Sequence, residues 1–183
     1  MLQDQKRYEE SVESYQMAIQ CRPKLTMAHL NMAIVKATMG KKDEAKAIYK
    51  HCAEIDTTGL KDPRLHENTK ISALYNLGRL LADEEKYEEA IDVYKKAISR
   101  RPSHYPPQSL YNMLGEAYSK LDMLTDAETW YREALRAKPN HIPAHLTMAK
   151  LMQRRLCAGN SFYQCTLLGS VLRIYERTST VCI

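Results

Sequence analysis

The sequence predicts an all-α fold, a solenoid built from antiparallel helical hairpins. A series of small residue, tyrosine, small residue and proline recurs along the chain, most clearly as Ala90, Tyr94, Ala97 and Pro102. The unit that carries the series is about 34 residues long, which is the length of one two-helix hairpin. The 183 residues include only 6 Gly and 7 Pro, and 27% of them are charged. This composition is typical of a mostly helical protein.

The series returns in three further places, and its order has a physical reason. Small residues let two helices approach closely, the tyrosine fills the space toward the next hairpin, and proline ends the second helix. The further copies are Ser11, Tyr15, Ala18 and Pro23; Ala45, Tyr49 and Cys52, with Thr57 at the proline position; and Ala127, Tyr131, Ala134 and Pro139. The answering small residues on the first helices are Ala33, Gly78, Gly115 and Ala149. This order of positions predicts tetratricopeptide repeats (TPRs) in a superhelix.

The register of the repeats divides the chain into predicted segments. Repeats begin at residues 26, 71, 108 and 142, so two of the spacings exceed the repeat length. The excess predicts an insertion over 58–70, which Gly59 and Pro63 make a loop, either without regular structure or with a short turn after Asp62, and a stiff extended connector over 105–107. The other predicted segments are a half repeat with only its second helix over 1–25, complete repeats over 26–57, 71–104 and 108–141, a half repeat with only its first helix over 142–155, and a divergent tail over 156–183.

The two ends of the array lack the polar caps that solenoids need. We therefore expect a superhelix truncated at both ends, either a fragment or a shortened isoform. Between Phe162 and Tyr175 the tail places apolar residues at helical spacing, which predicts a makeshift partner helix. Gly169 weakens such a helix by about 1 kcal/mol relative to alanine.

Composition and motifs argue against several function classes. The net charge of +5 is mild and the two signs alternate, which indicates solvated helix faces and no nucleic-acid footprint. The five cysteines show no metal-ligand spacing, and Cys52 takes a position that needs a small buried residue. No apolar run is long enough to insert this chain into a membrane. With no phosphate loop, nucleophile elbow or paired carboxylates, the sequence predicts no catalytic residue, cofactor or metal.

A concave peptide-binding wall is the predicted site, formed by first-helix positions that face away from the second helix. Asn31 and Asn76 share one repeat position, and a ladder of amides can hold an extended peptide backbone because each amide both donates and accepts hydrogen bonds. The alternative is that these asparagines are only hydrated. The predicted binding residues are Asn31, Tyr75, Asn76, Arg79, Asn112, Glu116 and Lys150, and Ile34 and Arg154 lie on the same wall.

Two histidines share another repeat position. His29 and His145 stand where the other repeats carry Leu74 and Tyr111. Because those residues are apolar or aromatic packing residues, we expect both histidines to pack between helices and not to bind a metal ion.

Several stretches that depart from the TPR consensus resemble one family. They are the insertion that follows Cys52-Ala-Glu-Ile-Asp and the connector that leads into Pro107-Gln-Ser-Leu-Tyr-Asn. Together with Leu74-Tyr-Asn-Leu-Gly and Lys138-Pro-Asn-His-Ile-Pro, they are similar to the repeat region of the transmembrane and TPR-repeat protein O-mannosyltransferases, which act on cadherins. The resemblance covers residues 1–152 and fails from Leu156 onward.

The resemblance implies an endoplasmic-reticulum membrane protein with its repeats in the lumen. The implied activity is transfer of mannose from dolichyl-phosphate mannose to Ser or Thr of a protein. In such families the chemistry belongs to a multi-span membrane part that this sequence lacks, so no catalytic residue is carried over. The implied function is a protein-binding scaffold or acceptor-recognition segment for extended protein segments, such as cadherin-type acceptors. The alternative is a stand-alone cytosolic adaptor without a link to glycosylation, and whether the chain counts as an enzyme stays open.

Overall fold

The structure is a computed structural model that describes residues 2–158. These residues form eight α-helices and no strand, which confirms the predicted all-α fold. The helices are α1 Leu2–Cys21, α2 Thr26–Thr38, α3 Lys42–Glu54, α4 Pro63–Asp83, α5 Tyr87–Arg100, α6 Gln108–Lys120, α7 Leu124–Ala137 and α8 Ile142–Ala158. They belong to two compact units, α1 to α5 and α6 to α8, which divide between Pro106 and Pro107.

Three hairpins make up most of the described chain. In the first unit α2 packs on α3 and α4 on α5, and in the second unit α6 packs on α7. Two helices lack a hairpin partner among the described residues: α1 packs on α2, and α8 packs on α6 and α7. No described helix combines the length and apolar character needed to cross a bilayer. The predicted helix over 162–175 lies outside the described residues, and α8 includes the first three residues of the predicted tail.

In two of the three hairpins, a glycine of the first helix lies directly against a tyrosine ring of the second. A Cβ at Gly78 would lie 2.4 Å from Cε1 of Tyr94, and a Cβ at Gly115 would lie 2.6 Å from Cε1 of Tyr131. Both rings are buried, so they have little room to move away. The two glycines therefore lie where their hairpin helices meet, as the sequence predicts, and the tyrosine is the group that they accommodate.

The same chain reversal ends the first helix of every hairpin. Each turn contains one residue of positive φ: Gly40 at 79°, Glu85 at 61° and Asp122 at 62°. The following N–H then donates back across the turn, from Lys41 to the Lys36 carbonyl, from Lys86 to Leu81 and from Met123 to Tyr118, at 2.9 to 3.0 Å. This is the Schellman helix end, which satisfies carbonyl groups that the helix leaves without partners. The geometry recurs even though only one of the three residues is a glycine.

The predicted insertion loop over 58–70 is wrong from Pro63 onward. There the chain is already helical, so that α4 has 21 residues where α2 and α6 have 13. Pro63 is a first-turn residue of α4, a position where its missing N–H costs nothing and its fixed φ suits a helix. Gly59, the other residue taken as a helix breaker, has a φ of +76° and lies in the short turn before α4.

The predicted extended connector over 105–107 is also different in detail. The Tyr105 N–H donates to the Pro102 carbonyl at 3.0 Å, and Arg101 Nη1 donates to the Tyr105 carbonyl at 2.9 Å. Pro107 has helical dihedral angles, because it is the residue that precedes α6. The segment is therefore a turn held by two hydrogen bonds. The boundary between the two compact units lies within it.

The two histidines make the same bond. His29 Nε2 lies 2.9 Å from the Pro23 carbonyl oxygen, and His145 Nε2 lies 2.7 Å from that of Pro139. Because a carbonyl can only accept, Nε2 carries the proton in both rings. His29 is buried and His145 is exposed. The predicted packing between helices therefore holds for His29 but not for the exposed His145, and both rings bond to the proline carbonyl that follows the preceding helix.

Replacing Gly78 with alanine tests the contact with Tyr94. We expect Gly78→Ala to lower the free energy of unfolding by about 1–2 kcal/mol, because overpacking costs about 1–3 kcal/mol and the gain in helix propensity returns up to about 1 kcal/mol. Denaturant unfolding followed by circular dichroism measures the loss. The control is the same change in a Tyr94→Leu background, where the ring is absent. An equal loss in both backgrounds would show that the close approach is not the cause.

Candidate functional site

The first unit places four of the predicted binding residues on two neighbouring helices. Asn31 lies on α2, and Tyr75, Asn76 and Arg79 lie on α4, which packs against α2. The asparagines and Tyr75 are half-buried and Arg79 is exposed. We call these four residues the amide wall. They lie on the first helices of two consecutive repeats, as the register predicts.

One asparagine of the amide wall is held in place. Asn76 Nδ2 donates to the Ser72 carbonyl at 2.9 Å, one helical turn earlier. This bond uses one of the two hydrogens of the amide, which has further capacity to donate and accept. A ligand backbone would therefore meet an amide whose orientation is already fixed, and this lowers the entropy lost on binding.

The arginine of the amide wall stands over an aromatic ring. The Arg79 guanidinium carbon lies 5.9 Å from the centroid of Tyr75, at the outer limit of a cation–π contact. The Arg79 charge also acts on a core tyrosine. Burial raises the pKa of Tyr49 to about 12, and the Arg79 cation opposes that rise. The guanidinium therefore lies near the junction of the amide wall and the core tyrosine of the first hairpin.

In the second unit a cleft of about 510 Å³ lies between α6, α7 and α8. It brings together two predicted residues, Glu116 from α6 and Lys150 from α8. The remaining lining includes Ser119, Lys120, Tyr131, Thr147, Leu151 and Arg154. We call it the α6–α8 cleft. Its three cationic side chains stand against Glu116 and against Asp122, which pairs with Arg154, so one net positive charge remains.

The structure places Asn112 differently from the prediction. Its side chain is buried, with 3% of the residue exposed, and it bridges α6 and α8. Nδ2 donates to Glu116 Oε1 at 2.9 Å, and Oδ1 accepts from Thr147 Oγ1 at 2.7 Å. Asn112 faces α8 from the position that Tyr75 occupies on α4, so its amide serves the packing of two helices. We leave it out of the binding surface.

A tyrosine that the sequence assigns to packing also lines the cleft. The Tyr131 side chain lies in the same lining as Ser119 of α6 and Thr147 of α8. Burial raises the pKa of Tyr131 to about 12, and the nearby Glu116 carboxylate adds to the rise. The ring therefore lies where the three helices around the cleft meet, and its hydroxyl stays neutral at physiological pH.

Arg154 closes one end of the cleft. Nη1 donates to the backbone and side-chain oxygens of Ser119, both at 2.9 Å, and Nη2 lies 2.9 Å from Asp122 Oδ1. The carbonyl of Ser119 is near the negative end of the α6 dipole, where a cation is favoured. Arg154 thus fastens α8 to the end of α6.

Sequence reasoning missed several residues of the cleft, although a signal for some of them exists. Ser119 and Lys120 follow Glu116 by three and four positions, which is one turn along the same helix face. Thr147 precedes Leu151 and Lys150 in the same way. Extending the wall by one turn from each predicted residue would have found them. Tyr131 carries no such signal, because its repeat position belongs to the core.

The arrangement is suited to binding. Among residues 2–158, no three His, Cys, Asp or Glu side chains lie close enough together to hold a metal ion. What the two surfaces present is amide, guanidinium, ammonium and hydroxyl groups on rigid helices, which are the groups that hold peptide backbones and acidic side chains.

Comparison with protein families agrees with the repeat register. Two profiles described as tetratricopeptide repeat match residues 69–140 and 28–58. Solved structures give the same fold. MamA (41-end) from Desulfovibrio magneticus RS-1 superposes with a TM-score of 0.66 at 16% identity, covering 93% of this chain and 86% of that one. YrrB superposes with a TM-score of 0.60 at 22% identity, covering 79% and 67%.

Comparison with curated proteins gives similarity to one group of enzymes. The chain is 52% identical to the protein O-mannosyl-transferase TMTC2 of Mus musculus over 113 residues, covering 62% of this chain and 14% of the relative. It is 52% identical to the Homo sapiens TMTC2 over 110 residues, covering 60% and 13%. The Drosophila melanogaster Tmtc2 is 32% identical over 190 residues, covering 84% and 20%. The chain thus spans a fifth or less of the length of these relatives.

The Tyr131 ring predicts a specific loss of stability at alkaline pH. An unfolded tyrosine ionises near pH 10, whereas Tyr131 in the fold ionises at about 12. Between these values the unfolded state has released a proton that the folded state keeps, so stability falls as the pH rises through that window. We expect the wild type to lose about 1 kcal/mol more than Tyr131→Phe between pH 9 and pH 11. Denaturant unfolding at both pH values measures this, and equal losses would contradict it.

Proposed function

Because the chain belongs to the tetratricopeptide-repeat family, and its repeats are homologous to a segment of the TMTC protein O-mannosyl-transferases, we propose that it recognises the acceptor protein for such a transferase. In this proposal the repeats bind extended segments of the acceptor, of the cadherin type. The transferase moves mannose from dolichyl-phosphate mannose to Ser or Thr of that acceptor, and its catalytic groups are supplied by parts other than these repeats.

The amide wall is the observation that carries the proposal. An extended peptide exposes backbone N–H and C=O groups at regular intervals, and Asn31 and Asn76 stand at equal positions on neighbouring helices. Amides at these positions can bind the backbone without selecting its side chains. An enzyme that modifies many acceptors needs this kind of recognition, with sequence preference left to other contacts.

The α6–α8 cleft is a second candidate contact for the acceptor. Lys120, Lys150 and Arg154 surround it together with Glu116. Such a lining favours acidic side chains of a bound segment. The buried, uncharged Tyr131 ring forms the floor of the cleft. YrrB is described as a TPR protein with an unusual peptide-binding site, so a protein with this fold has a peptide as its ligand. That precedent supports a peptide as the ligand class here.

The proposed compartment is the lumen of the endoplasmic reticulum. The relatives are O-mannosyl-transferases, and this supports an endoplasmic-reticulum membrane protein as the context of these repeats. Acceptors that enter the secretory pathway are unfolded or extended there, which suits the amide wall.

Removing both amides of the wall tests peptide binding. The probe is a fluorescein-labelled peptide of about ten residues, rich in Ser and Thr and copied from a strand of a cadherin extracellular domain. We expect the Asn31→Ala and Asn76→Ala double variant to bind it about tenfold more weakly in fluorescence anisotropy, because each hydrogen bond contributes about 0.5–1.5 kcal/mol. Asn140→Ala, an exposed asparagine of the other unit, is the control. Unchanged affinity in a folded double variant would remove the amide wall as the site.

A mannosyl-transfer assay tests the separation of recognition from catalysis. Purified chain, dolichyl-phosphate mannose and the cadherin peptide are expected to give no transfer above the blank. When the chain is added in excess to membranes that contain a full-length transferase, we expect transfer to the peptide to fall, because the chain sequesters the acceptor. The double variant should inhibit less. Turnover by the chain alone would overturn this assignment of roles.

A further inference from the structure

The extra turns of α4 build a pocket that an uninterrupted repeat would lack. It has a volume of about 550 Å³ and lies between the turn that joins α1 to α2 and the segment that leads into α4. Three leucines line it, Leu25, Leu60 and Leu65, and three of the other six lining residues are cationic, namely Arg22, Lys24 and Lys61. We call it the insertion pocket. All of its residues lie in the first compact unit.

The wall supplied by the insertion is fixed by two hydrogen bonds, one buried and one partly buried. His66 Nδ1 lies 2.9 Å from Thr26 Oγ1, and both side chains are buried. Glu67 accepts from Thr57 Oγ1 at 2.8 Å, which ties the beginning of α4 to the residues before it. Residues 59–68 fall between the two ranges that match tetratricopeptide repeats. One wall of the pocket is therefore held in place by hydrogen bonds and comes from the part of the chain that departs from the repeat.

The apolar part of the pocket is open to a ligand. Leu65 is 49% exposed on the first turn of α4, and Leu25 and Leu60 are half-buried beside it. An exposed leucine among other leucines at a rigid concave surface is the usual setting for an apolar anchor residue.

The electrostatics of the pocket favour a negative group. Lys24 is 3.0 Å from Asp56 Oδ2, so that pair is neutral, and Arg22 and Lys61 outweigh the carboxylate of Asp62. The pocket also adjoins the positive ends of α2 and α4, whose N-cap residues Leu25 and Asp62 make no side-chain capping bond. Neither helix has an acidic residue in its first turn.

We propose that the insertion pocket binds an acidic–apolar peptide segment of a partner protein. A leucine-like side chain enters between Leu25, Leu60 and Leu65, and a neighbouring carboxylate meets Arg22 and Lys61. The site is separate from the amide wall, because Leu65 lies about 16 Å along α4 from Asn76. The C-terminal segment of this chain fits less well, since residues 159–183 carry Arg173 and Arg177 against a single acidic residue, Glu176.

The test uses the full chain and a defined probe, a fluorescein-labelled decapeptide of Gly and Ser with a central Asp-Leu-Asp. Fluorescence anisotropy is expected to show binding that weakens at least tenfold in Leu65→Glu, because the new carboxylate repels the probe and occupies the apolar part. Ile34→Glu is the matched control: Ile34 is 40% exposed on α2, on the predicted concave wall. It should change binding less than twofold. Circular dichroism melts establish that both variants are folded.

Two further probes and one variant test the chemistry of the site. A Lys-Leu-Lys probe and an Asp-Ala-Asp probe should each bind at least tenfold more weakly than Asp-Leu-Asp. The Arg22→Glu and Lys61→Glu double variant should reverse the preference toward Lys-Leu-Lys. Equal binding of all three probes would overturn the proposal.

The remaining outcomes distinguish this site from the others. Loss of probe binding in Ile34→Glu but not in Leu65→Glu would move the peptide to the concave wall and overturn the proposal, whatever the asparagine variants show. Slower hydrogen exchange of residues 159–183 in the wild type than in Leu65→Glu would identify the chain's own C-terminal segment as the occupant, and would also overturn it. Failure of the amide-wall variants to weaken cadherin-peptide binding leaves the Asp-Leu-Asp result unaffected, so the two proposals fail separately.

Discussion

In two of the three hairpins the contact of a tyrosine ring with a glycine sets the distance between the helices, and the proposed binding surfaces depend on that distance. Tyr94 lies against Gly78 and Tyr131 against Gly115, with no room for a single additional carbon. Tyr131 also lines the cleft together with Ser119 of α6 and Thr147 of α8, so the ring that packs within one hairpin also lies beside the helix that follows. The first-helix walls are rigid because their positions are dictated by these buried rings.

The two compact units use the same core to present different surfaces. In the first unit, amides and a guanidinium above Tyr75 face solvent on α2 and α4. In the second unit, the amide of Asn112 is hydrogen-bonded between α6 and α8, and cationic side chains line the cleft. The insertion adds a third environment, which is apolar with a cationic edge. Equivalent backbone positions in the two units therefore carry unlike chemistry.

The sequence predicts the helices well because their packing positions recur, as Ala90, Tyr94 and Gly78 illustrate. It fails where a residue has two physical uses. The sequence suggests that Pro63 interrupts a helix, yet proline is favoured in the first turn of a helix, which is where Pro63 lies. Asn112 reads as a surface amide, but a buried amide is equally stable when Thr147 and Glu116 satisfy it. For Asn112 the choice is made by Thr147, which lies more than thirty positions further along the sequence. A local sequence pattern does not contain that information.

The bond between His29 and the Pro23 carbonyl has a consequence for temperature. It joins the end of α1 to the first turn of α2, at the repeat position where α4 carries the buried Leu74. Contacts of apolar side chains such as Leu74 lose strength on cooling, because the hydrophobic effect weakens in cold water. A directed hydrogen bond does not share that dependence. The contribution of this bond to the packing of α1 on α2 therefore declines less on cooling than the contribution of buried Leu74 at the equivalent position of α4.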